Sequence, residues 1–282
     1  MFFVPKLFTQ PDNLGMAKII SPVQKQEYLP FIKSNFGKLS QREIARRLNI
    51  GNTTVRRWSD ELGYKYVKHT VNEYFFDSFN ESSIYLLGLI YADGSIAWDR
   101  VKGYNSLTIT SCAKDKYHLE KIRMLINSTK SLVFSSKTNS YRLIVNNKKI
   151  CQKLMGLGVL PRKTLTITFP EFISDPLLPH FLRGIVDGDG NVRYVNRKRS
   201  PYFEMTIASG SKRFCDGLIE AVKNAIGVVG GLRQVGPNTY VIQYSCSRGV
   251  LLAQFIYGNA QIFLERKCDE YKKYLEVKEN GN

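Results

Sequence analysis

Cysteine and histidine are scarce in this chain. Its 282 residues include 5 cysteines and 3 histidines. The cysteines form no Cys-x-x-Cys pair, which argues against a structural zinc site and fits a reducing compartment. The histidines His69, His118 and His180 show no metal-ligand or nucleophile spacing, and this removes the histidine-based nuclease classes from consideration.

Long apolar runs are absent as well. No stretch approaches the roughly 18 residues that a membrane-spanning helix needs. The segment from Met1 to Phe8 is too short for a secretory signal peptide and does not start with basic residues. We therefore expect a protein of the cytoplasm, or of an organellar matrix if an organelle genome encodes it.

Acidic residues are outnumbered by basic ones. The chain has 24 Asp and Glu against 41 Lys and Arg, which gives a formal net charge of +17. Such an excess points to a polyanionic partner, with nucleic acid ahead of an acidic membrane surface. The 43% hydrophobic content can supply the core of one large domain or of about two or three small ones.

The most informative pattern is a duplication. The sequence YLLGLIYADGS runs from Tyr85 to Ser95, and FLRGIVDGDGN runs from Phe181 to Asn191. Each copy is an apolar stretch of helical length with a central glycine and an Asp-Gly end. The copies align in register, so that the paired residues are Gly88 with Gly184, Asp93 with Asp189 and Gly94 with Gly190.

Each copy has features that make sense beside the other. Apolar residues surround most of each predicted helix, which indicates burial on several faces. A mid-helix glycine costs about 1 kcal/mol relative to alanine, so we expect the two backbones to approach closely there. Gly94 and Gly190 are predicted to end the helices in the left-handed conformation. Asp93 and Asp189 then lie at the negative ends of two helix dipoles.

Two carboxylates side by side at such helix ends repel each other. A bound divalent cation with oxygen ligands, such as magnesium, would relieve the repulsion. The alternative is a duplicated core helix whose aspartates are only polar helix ends. A calcium loop starting at Asp187 is excluded, because Val192 stands where such a loop needs glycine and Lys198 where it needs glutamate.

The paired segments resemble the motifs of the LAGLIDADG homing endonucleases in their single-chain, two-repeat form. The resemblance extends over roughly residues 80 to 277. It includes the segment from Leu154 to Thr164 with the following Phe169-Pro170, and the segment from Phe263 to Lys267.

This resemblance implies a fold and a site. It implies an α+β fold of two pseudo-symmetric αββαββα repeats whose sheets form a DNA-binding saddle. It assigns metal binding to Asp93 and Asp189 and makes Lys163 and Lys267 the pocket lysines. Tyr91 departs from the family pattern, because the second copy has the expected acidic residue there, Asp187. That acid is mainly a helix-end group in the family, so metal binding is little affected.

A second motif precedes the repeats, from Leu39 to Leu62, where the sequence is LSQREIARRLNIGNTTVRRWSDEL. Ser40 and Glu43 are predicted to form a capping box. Apolar residues at helical spacing on both sides of a turn with Gly51 predict a helix-turn-helix, completed by a helix between about residues 24 and 36. Residue types suited to phosphates and base edges follow the turn: Asn52, Thr53, Thr54, Arg56 and Arg57. A plain helical hairpin with a solvated basic face is the alternative.

These motifs predict the domain organisation. Residues 1–17 are unassigned, 18–66 form the helix-turn-helix domain, and 67–80 form an aromatic-rich linker that packs on the repeats. Residues 81–160 are repeat 1, 161–178 an extended, proline-containing connector, and 179–282 repeat 2 with a C-terminal helix. Basic and polar residues of the predicted sheets are candidate DNA contacts: Arg100, Lys102, Lys137, Arg142, Arg193, Arg197, Lys198, Arg199, Arg233 and Gln243.

The predicted function is site-specific, double-strand cleavage of DNA by a monomer. Asp93 and Asp189 would hold divalent metal, Mg²⁺ or alternatively Mn²⁺, and the backbone carbonyls of Ala92 and Gly188 would complete its shell. Lys163 and Lys267 would offset the charge of the transition state. Two other functions remain open: a non-cleaving, sequence-specific transcriptional regulator on the same fold, and an RNA-binding maturase for an intron.

Overall fold

The computed structural model describes residues 20–65, 69–99, 104–196 and 201–280. The chain divides into two compact units, Met1–Lys68 and His69–Asn282. Within the described residues, no helix combines the length and apolar character needed to cross a membrane. The predicted N-terminal extension, residues 1–17, lies outside the described residues.

The first unit contains three helices, α1 (Pro22–Asn35), α2 (Gln41–Leu48) and α3 (Asn52–Glu61). A three-residue turn separates α2 from α3 and begins with Asn49 in the left-handed region, at φ 52°. The helices enclose one apolar core, built from Ile32, Ile44, Ala45, Val55 and Trp58. The unit therefore consists of one helix followed by two helices that a three-residue turn joins.

The capping box predicted at the start of α2 is only half formed. The Ser40 hydroxyl accepts a hydrogen bond from the Glu43 N–H at 3.2 Å. The Glu43 carboxylate does not return to the Ser40 N–H, because it accepts from Arg46 and Arg47 at 2.7 Å each. These arginine contacts also lower the pKa of Glu43 to about 2.

The second unit consists of two repeats with the same order of elements. Repeat 1 contains α4 (Glu81–Asp93), β1 (Gly94–Asp99), β2 (Tyr104–Cys112), α5 (Lys116–Leu125), β3 (Val133–Ser135), β4 (Ser140–Val145) and α6 (Lys148–Gly156). Repeat 2 contains α7 (Leu178–Asp189), β5 (Gly190–Val195), β6 (Tyr202–Ser209), α8 (Lys212–Ile226), β7 (Gly231–Gly236), β8 (Thr239–Ser245) and α9 (Ser247–Tyr257). A final helix, α10, spans Glu265–Asn280. The predicted pair of αββαββα repeats is confirmed.

Each repeat has one antiparallel, four-stranded sheet. The strand orders are β1-β2-β4-β3 and β5-β6-β8-β7. Alternation along the strands buries one face of each sheet, where Ile109 pairs with Leu143 and Ile207 with Ile242. On the opposite face, which we call the open face, Thr110 and Arg142 of repeat 1 and Arg193 and Arg233 of repeat 2 are exposed.

Helices α4 and α7 pack against each other through their central glycines. A Cβ atom on Gly88 would lie 2.2 Å from the Phe181 carbonyl oxygen, and one on Gly184 would lie 2.2 Å from the Tyr85 carbonyl oxygen. No side chain fits at either position, so the two backbones are in direct contact. The close approach expected at these glycines is present.

The helix ends differ from the expected left-handed caps. Gly94 has φ −84° and Gly190 has φ −85°, because each leads straight into a strand. Glycine is required there for space: a Cβ atom would lie 2.6 Å from the Ile90 carbonyl oxygen in repeat 1 and 2.5 Å from the Val186 carbonyl oxygen in repeat 2. The prediction of positive φ was therefore wrong at both glycines.

Two connecting segments complete the unit. Residues 69–80 pack on repeat 1: the Asn72 N–H donates to the Ile126 carbonyl at 2.9 Å, and Phe76 is buried. The connector between the repeats was predicted to be extended, but it includes short 3₁₀ turns at Lys163–Leu165 and Asp175–Leu177. Pro176 does not prevent the second turn, because the first residues of a helical turn need no N–H partner.

Candidate active site

Asp93 and Asp189 are the last residues of α4 and α7, and the glycine contact brings these helix ends together. Both side chains keep an exposed face. Partial burial and the neighbouring Asp189 raise the pKa of Asp93 to about 6, and partial burial also raises the pKa of Asp189. The two predicted acids therefore lie close enough to repel each other.

Gly188 allows this close approach from the side of repeat 2. A Cβ atom on Gly188 would lie 2.4 Å from the Ala92 Cβ and 3.3 Å from the Asp93 Oδ2. The Asp93 carboxylate thus extends over the end of α7, the helix of the other repeat. Any side chain at position 188 would push the two helix ends apart.

The two predicted pocket lysines bind the ends of the same helices. Lys163 is buried and its Nζ donates to the Ala92 carbonyl at 3.2 Å. Lys267 is buried and its Nζ donates to the carbonyls of Val186, Asp187, Gly188 and Gly190 at 2.6–3.1 Å. A cation at a helix C-terminus offsets the negative end of the dipole.

The lysines are also electrostatic neighbours of the carboxylates. Burial lowers the pKa of Lys163, while Asp189 and Asp93 oppose that change. Burial lowers the pKa of Lys267 to about 8, against the opposing effects of Asp187 and Asp93. The predicted acids and lysines therefore form one charged cluster at the junction of the repeats.

The donor atoms of this cluster fit a hard divalent cation. Two carboxylates face a common region, and the helix-end carbonyls of Ala92 and Gly188 each accept one hydrogen bond from a lysine. A carbonyl oxygen has a second lone pair, so these atoms keep the capacity to ligate. The set is oxygen only, as magnesium, manganese and calcium prefer. Among the described residues, no group of three or more His, Cys, Asp or Glu side chains could hold a metal ion by itself.

The residue at the first acidic position of the motif differs between the repeats, but Asp187 and Tyr91 both contact the backbone at a helix end. Asp187 is buried and accepts a hydrogen bond from the Leu264 N–H at 2.8 Å, just before α10 begins. Tyr91, its counterpart, donates its hydroxyl to the Leu157 carbonyl at 2.6 Å, just after α6 ends. Each residue thus satisfies a helix terminus, which agrees with the expected helix-end role.

A cleft of about 650 Å³ lies beside the charged cluster. Asp93 and Gly188 line it from the helix ends, and Thr110 and Arg142 line it from the open face of the repeat 1 sheet. The Asp93 carboxylate is therefore accessible from the same side as the open face of the repeat 1 sheet.

Solved structures share this architecture, although no protein-family model and no curated protein matches the chain. The I-SmaMI LAGLIDADG homing endonuclease bound to cleaved DNA has a TM-score of 0.50 at 15% identity, over 73% of this chain and 91% of that one. The LAGLIDADG meganuclease I-AabMI bound to uncleaved DNA has a TM-score of 0.50 at 16% identity, over 72% and 91%. I-SmaMI with calcium ions has a TM-score of 0.50 at 14% identity, over 73% and 93%.

The chain has the two-repeat LAGLIDADG fold. At identities of 14–16% the likeness is one of fold.

The LAGLIDADG sheets present several of the predicted DNA contacts on their open faces. Arg142 on β4 is exposed opposite Thr110, and in repeat 2 the exposed Arg193 and Arg233 lie on the same face as Gln243. Lys137 is exposed in the turn between β3 and β4. Gln243 is half-buried and donates to Glu204, so its amide is already engaged. Arg100, Lys102, Arg197, Lys198 and Arg199 lie outside the described residues.

The first unit exposes most of its predicted contact residues. Asn52, Thr53, Arg56 and Arg57 are exposed on the first two turns of α3, whereas Thr54 is half-buried. Val55 and Trp58, on the opposite face of α3, are buried in the core. The apolar spacing in the sequence therefore predicted correctly which face of α3 is buried.

Arg183 is a structural residue of the LAGLIDADG helices that the sequence pattern did not reveal. It is buried in α7, and its Nη2 forms an ion pair with Glu81 on α4 at 2.7 Å. Its Nε and Nη1 donate to the carbonyls of Ile262 and Ile256 at 2.7 Å each. The only signal in the sequence is a charged residue at a position where the first copy has Leu87.

His118 belongs to a buried network that the histidine spacing also did not reveal. The Tyr85 hydroxyl donates to Asp187 at 2.8 Å and lies 2.9 Å from the His118 Nε2. Burial lowers the pKa of His118 to about 4 and raises that of Asp187 to about 6. Because Asp187 also accepts from the Leu264 N–H, this network contacts the start of α10, the helix that contains Lys267.

His118 is expected to make the folded state sensitive to acid. Its pKa is lowered from 6.5 to about 4, so between these values the unfolded chain binds the extra proton, and stability is lost as the pH falls. Between pH 6.5 and about pH 5 the His118 contribution to the free energy of unfolding falls by about 2 kcal/mol. His118→Gln, which keeps a donor for Tyr85, is expected to remove this contribution in denaturant titrations at several pH values.

Asp187 shifts stability in the opposite sense, because its raised pKa favours the protonated folded state at lower pH. The test is therefore the difference in the free energy of unfolding between the wild type and His118→Gln at each pH. A difference that does not change between pH 6.5 and about pH 5 would contradict a buried, neutral His118.

Proposed function

We propose that the protein is a metal-dependent, site-specific endonuclease that cuts both strands of duplex DNA. The observation that carries the proposal is the cluster of Asp93, Asp189, Lys163 and Lys267 at the junction of two repeats with open sheet faces. I-SmaMI, which has the same fold, is known in complex with cleaved DNA and with calcium ions. The formal net charge of +17 fits a polyanionic partner of this kind.

In phosphodiester hydrolysis, the aspartates and the lysines of the cluster would have different roles. Asp93 and Asp189 would hold divalent metal, Mg²⁺ or Mn²⁺, with the carbonyls of Ala92 and Gly188 and with phosphate oxygens. When bound, the metal supplies positive charge that acidifies a water molecule and stabilises the leaving oxygen. Lys163 and Lys267 offset charge that develops on the phosphates. Each lysine is fixed by carbonyl acceptors, so little reorganisation is needed during the reaction.

The open sheet faces and the first unit would supply binding to duplex DNA. Arg142, Arg193 and Arg233 project from open faces and suit phosphates or guanine edges. The exposed residues of α3 suit a major groove. One chain contains both repeats, so a monomer can address both strands.

The proposal is tested by selection followed by cleavage. Duplexes that bind the full-length protein in EDTA are recovered from a random library, labelled on each strand, and incubated with Mg²⁺ or Mn²⁺. We expect both strands to be cut within the bound sequence, and only when metal is added. Tight binding with no cleavage in either metal would instead identify a sequence-specific regulator, the function that the separate three-helix unit favours.

Arg56→Ala is expected to weaken binding of the selected duplex by about 3- to 10-fold and to lower the slope of log K against log salt concentration by about 1. Arg56 is exposed on α3, and among the described residues it forms no ion pair. Fluorescence anisotropy at several salt concentrations gives both quantities.

Arg46→Ala is the matched control for this prediction. Arg46 is an exposed arginine of the same unit, but its guanidinium is bound to Glu43 at 2.7 Å. We expect a smaller loss of affinity than for Arg56→Ala. Equal losses would mean that net charge, and not the exposed face of α3, determines the contribution of this unit.

A further inference from the structure

The two repeats differ beside the charged cluster in a way that their matching sequences hide. Arg266 and Lys267 occupy the same motif positions as Arg162 and Lys163. Arg266 is the second residue of α10 and lines the cleft together with Asp93 and Gly188. Arg162 is exposed, and among the described residues it has no ion-pair partner. Only one of the two arginines is therefore held in place.

The residue that holds Arg266 comes from the other repeat. Asp115, in a short 3₁₀ turn at the end of β2, is only 6% exposed, whereas the Arg266 side chain is 43% exposed. The Arg266 Nε lies 2.9 Å from the Asp115 Oδ1 and its Nη2 lies 2.9 Å from the Oδ2. The Cys112 thiol donates to the same carboxylate at 2.9 Å. Cys112 thus helps to hold the Asp115 carboxylate in place, and Asp115 holds the Arg266 guanidinium.

This geometry leaves one edge of the Arg266 guanidinium available. An arginine has five N–H donors on two usable edges. Asp115 occupies the edge formed by Nε and Nη2, and among the described residues Nη1 has no acceptor. The remaining edge, Nη1 with the second Nη2 hydrogen, matches two oxygens of a phosphate. Because Arg266 lines the cleft beside Asp93, that phosphate would belong to the backbone next to the Asp93 carboxylate.

We propose that Arg266 binds a backbone phosphate of one DNA strand, that Asp115 is its positioning residue, and that the protein therefore cuts the two strands at unequal rates. The inference rests on the proposed endonuclease function and adds an asymmetry to it. Arg162, which lacks a fixed partner, provides no equivalent contact for the other strand.

The experiment combines protein variants with single neutral phosphates. Methylphosphonates are placed at one phosphate at a time near the cleavage positions of the selected duplex, and affinity is measured in EDTA. Arg266→Ala is expected to lose about 10-fold in affinity for unmodified DNA. At one phosphate of one strand, the methylphosphonate duplex should bind the wild type and Arg266→Ala equally well. Arg162→Ala, the matched control, is expected to lose less than about 3-fold and to show no such position.

Strand-resolved cleavage provides the second measurement. With Mg²⁺, Arg266→Ala is expected to slow the cutting of that same strand by about 10-fold or more relative to the other, so that nicked DNA accumulates. Asp115→Asn should produce the same strand bias, because its side chain still fits but no longer holds the guanidinium as a charged partner. Arg266→Lys should restore part of the affinity, since it keeps the charge and loses the paired donors.

The outcomes separate this inference from the proposed function. The inference is overturned, and the proposed endonuclease function stands, if the wild type cuts DNA but no methylphosphonate removes the difference in affinity between the wild type and Arg266→Ala. The same holds if Arg266→Ala slows the cutting of both strands equally. Equal coupling by Arg162 would also overturn it. If Arg266→Ala and Asp115→Asn only lower the melting temperature, the pair is a structural tie between the repeats. If the wild type binds and cuts no duplex, the proposed function fails and the inference fails with it.

Discussion

Replacing Asp93 and Asp189 together by asparagine is expected to abolish cleavage of the selected duplex, with a loss of at least about a thousandfold in rate. Asparagine keeps the size of each side chain but removes the charge that a divalent cation needs. Affinity for DNA in EDTA should stay within about threefold or improve, because two negative charges leave a surface that meets phosphates. Plasmid cleavage and anisotropy measure the two effects separately.

Asp216→Asn is the control for the loss of negative charge. Asp216 is on α8, exposed and paired with Lys212 at 2.8 Å, and it is not one of the residues that form the charged cluster. Its replacement should leave the cleavage rate unchanged. Full cleavage by the Asp93→Asn/Asp189→Asn double variant would contradict the assignment of the two carboxylates.

Gly88→Ala is expected to destabilise the second unit by at least about 3 kcal/mol, at the upper end of the usual cost of overpacking. The added methyl would lie 2.2 Å from the Phe181 carbonyl oxygen and 3.2 Å from the Gly184 Cα. Both neighbours are backbone atoms of α7, so the strain cannot be relieved by a side-chain rotation. Urea denaturation measures the loss, and cleavage should fall as well, because Asp93 and Asp189 are positioned by these helices.

Gly156→Ala tests whether this cost comes from the helix contact. Gly156 also lies in a helix, α6, but a Cβ atom there would have no neighbour within 4 Å. We expect it to be neutral or slightly stabilising, as alanine favours a helix over glycine. Similar destabilisation by both substitutions would mean that the α4–α7 contact is less tight than the backbone distances indicate.

Much of the site could be predicted because its determinants are local and duplicated. The apolar stretches of helical length around Gly88 and Gly184 indicated two helices buried on several faces, and the matching Asp-Gly ends indicated where the carboxylates would lie. The resemblance to the LAGLIDADG motifs assigned Lys163 and Lys267, which lie beside those carboxylates in the structure. These features repeat along the sequence, so pattern analysis can find them.

The remaining features depend on contacts between residues far apart in the chain. Asp115 and Arg266 belong to different repeats, and neither position has a periodic signal that points to the other. Arg183 and His118 are polar residues in apolar surroundings, which sequence patterns treat as surface positions. The prediction of left-handed caps was wrong for a related reason. The strand after each helix, and not the Asp-Gly pair, determines the conformation of Gly94 and Gly190.

The role of the two carboxylates is tested most directly by the binding of Mn²⁺ to the protein on its selected duplex. Titration calorimetry, with the Asp93→Asn/Asp189→Asn variant on the same duplex as the comparison, measures this binding apart from catalysis. We predict saturable Mn²⁺ binding to the wild-type complex and its loss in the variant complex, although both proteins bind the DNA. Undiminished Mn²⁺ binding by the variant complex would contradict a metal site formed by Asp93 and Asp189.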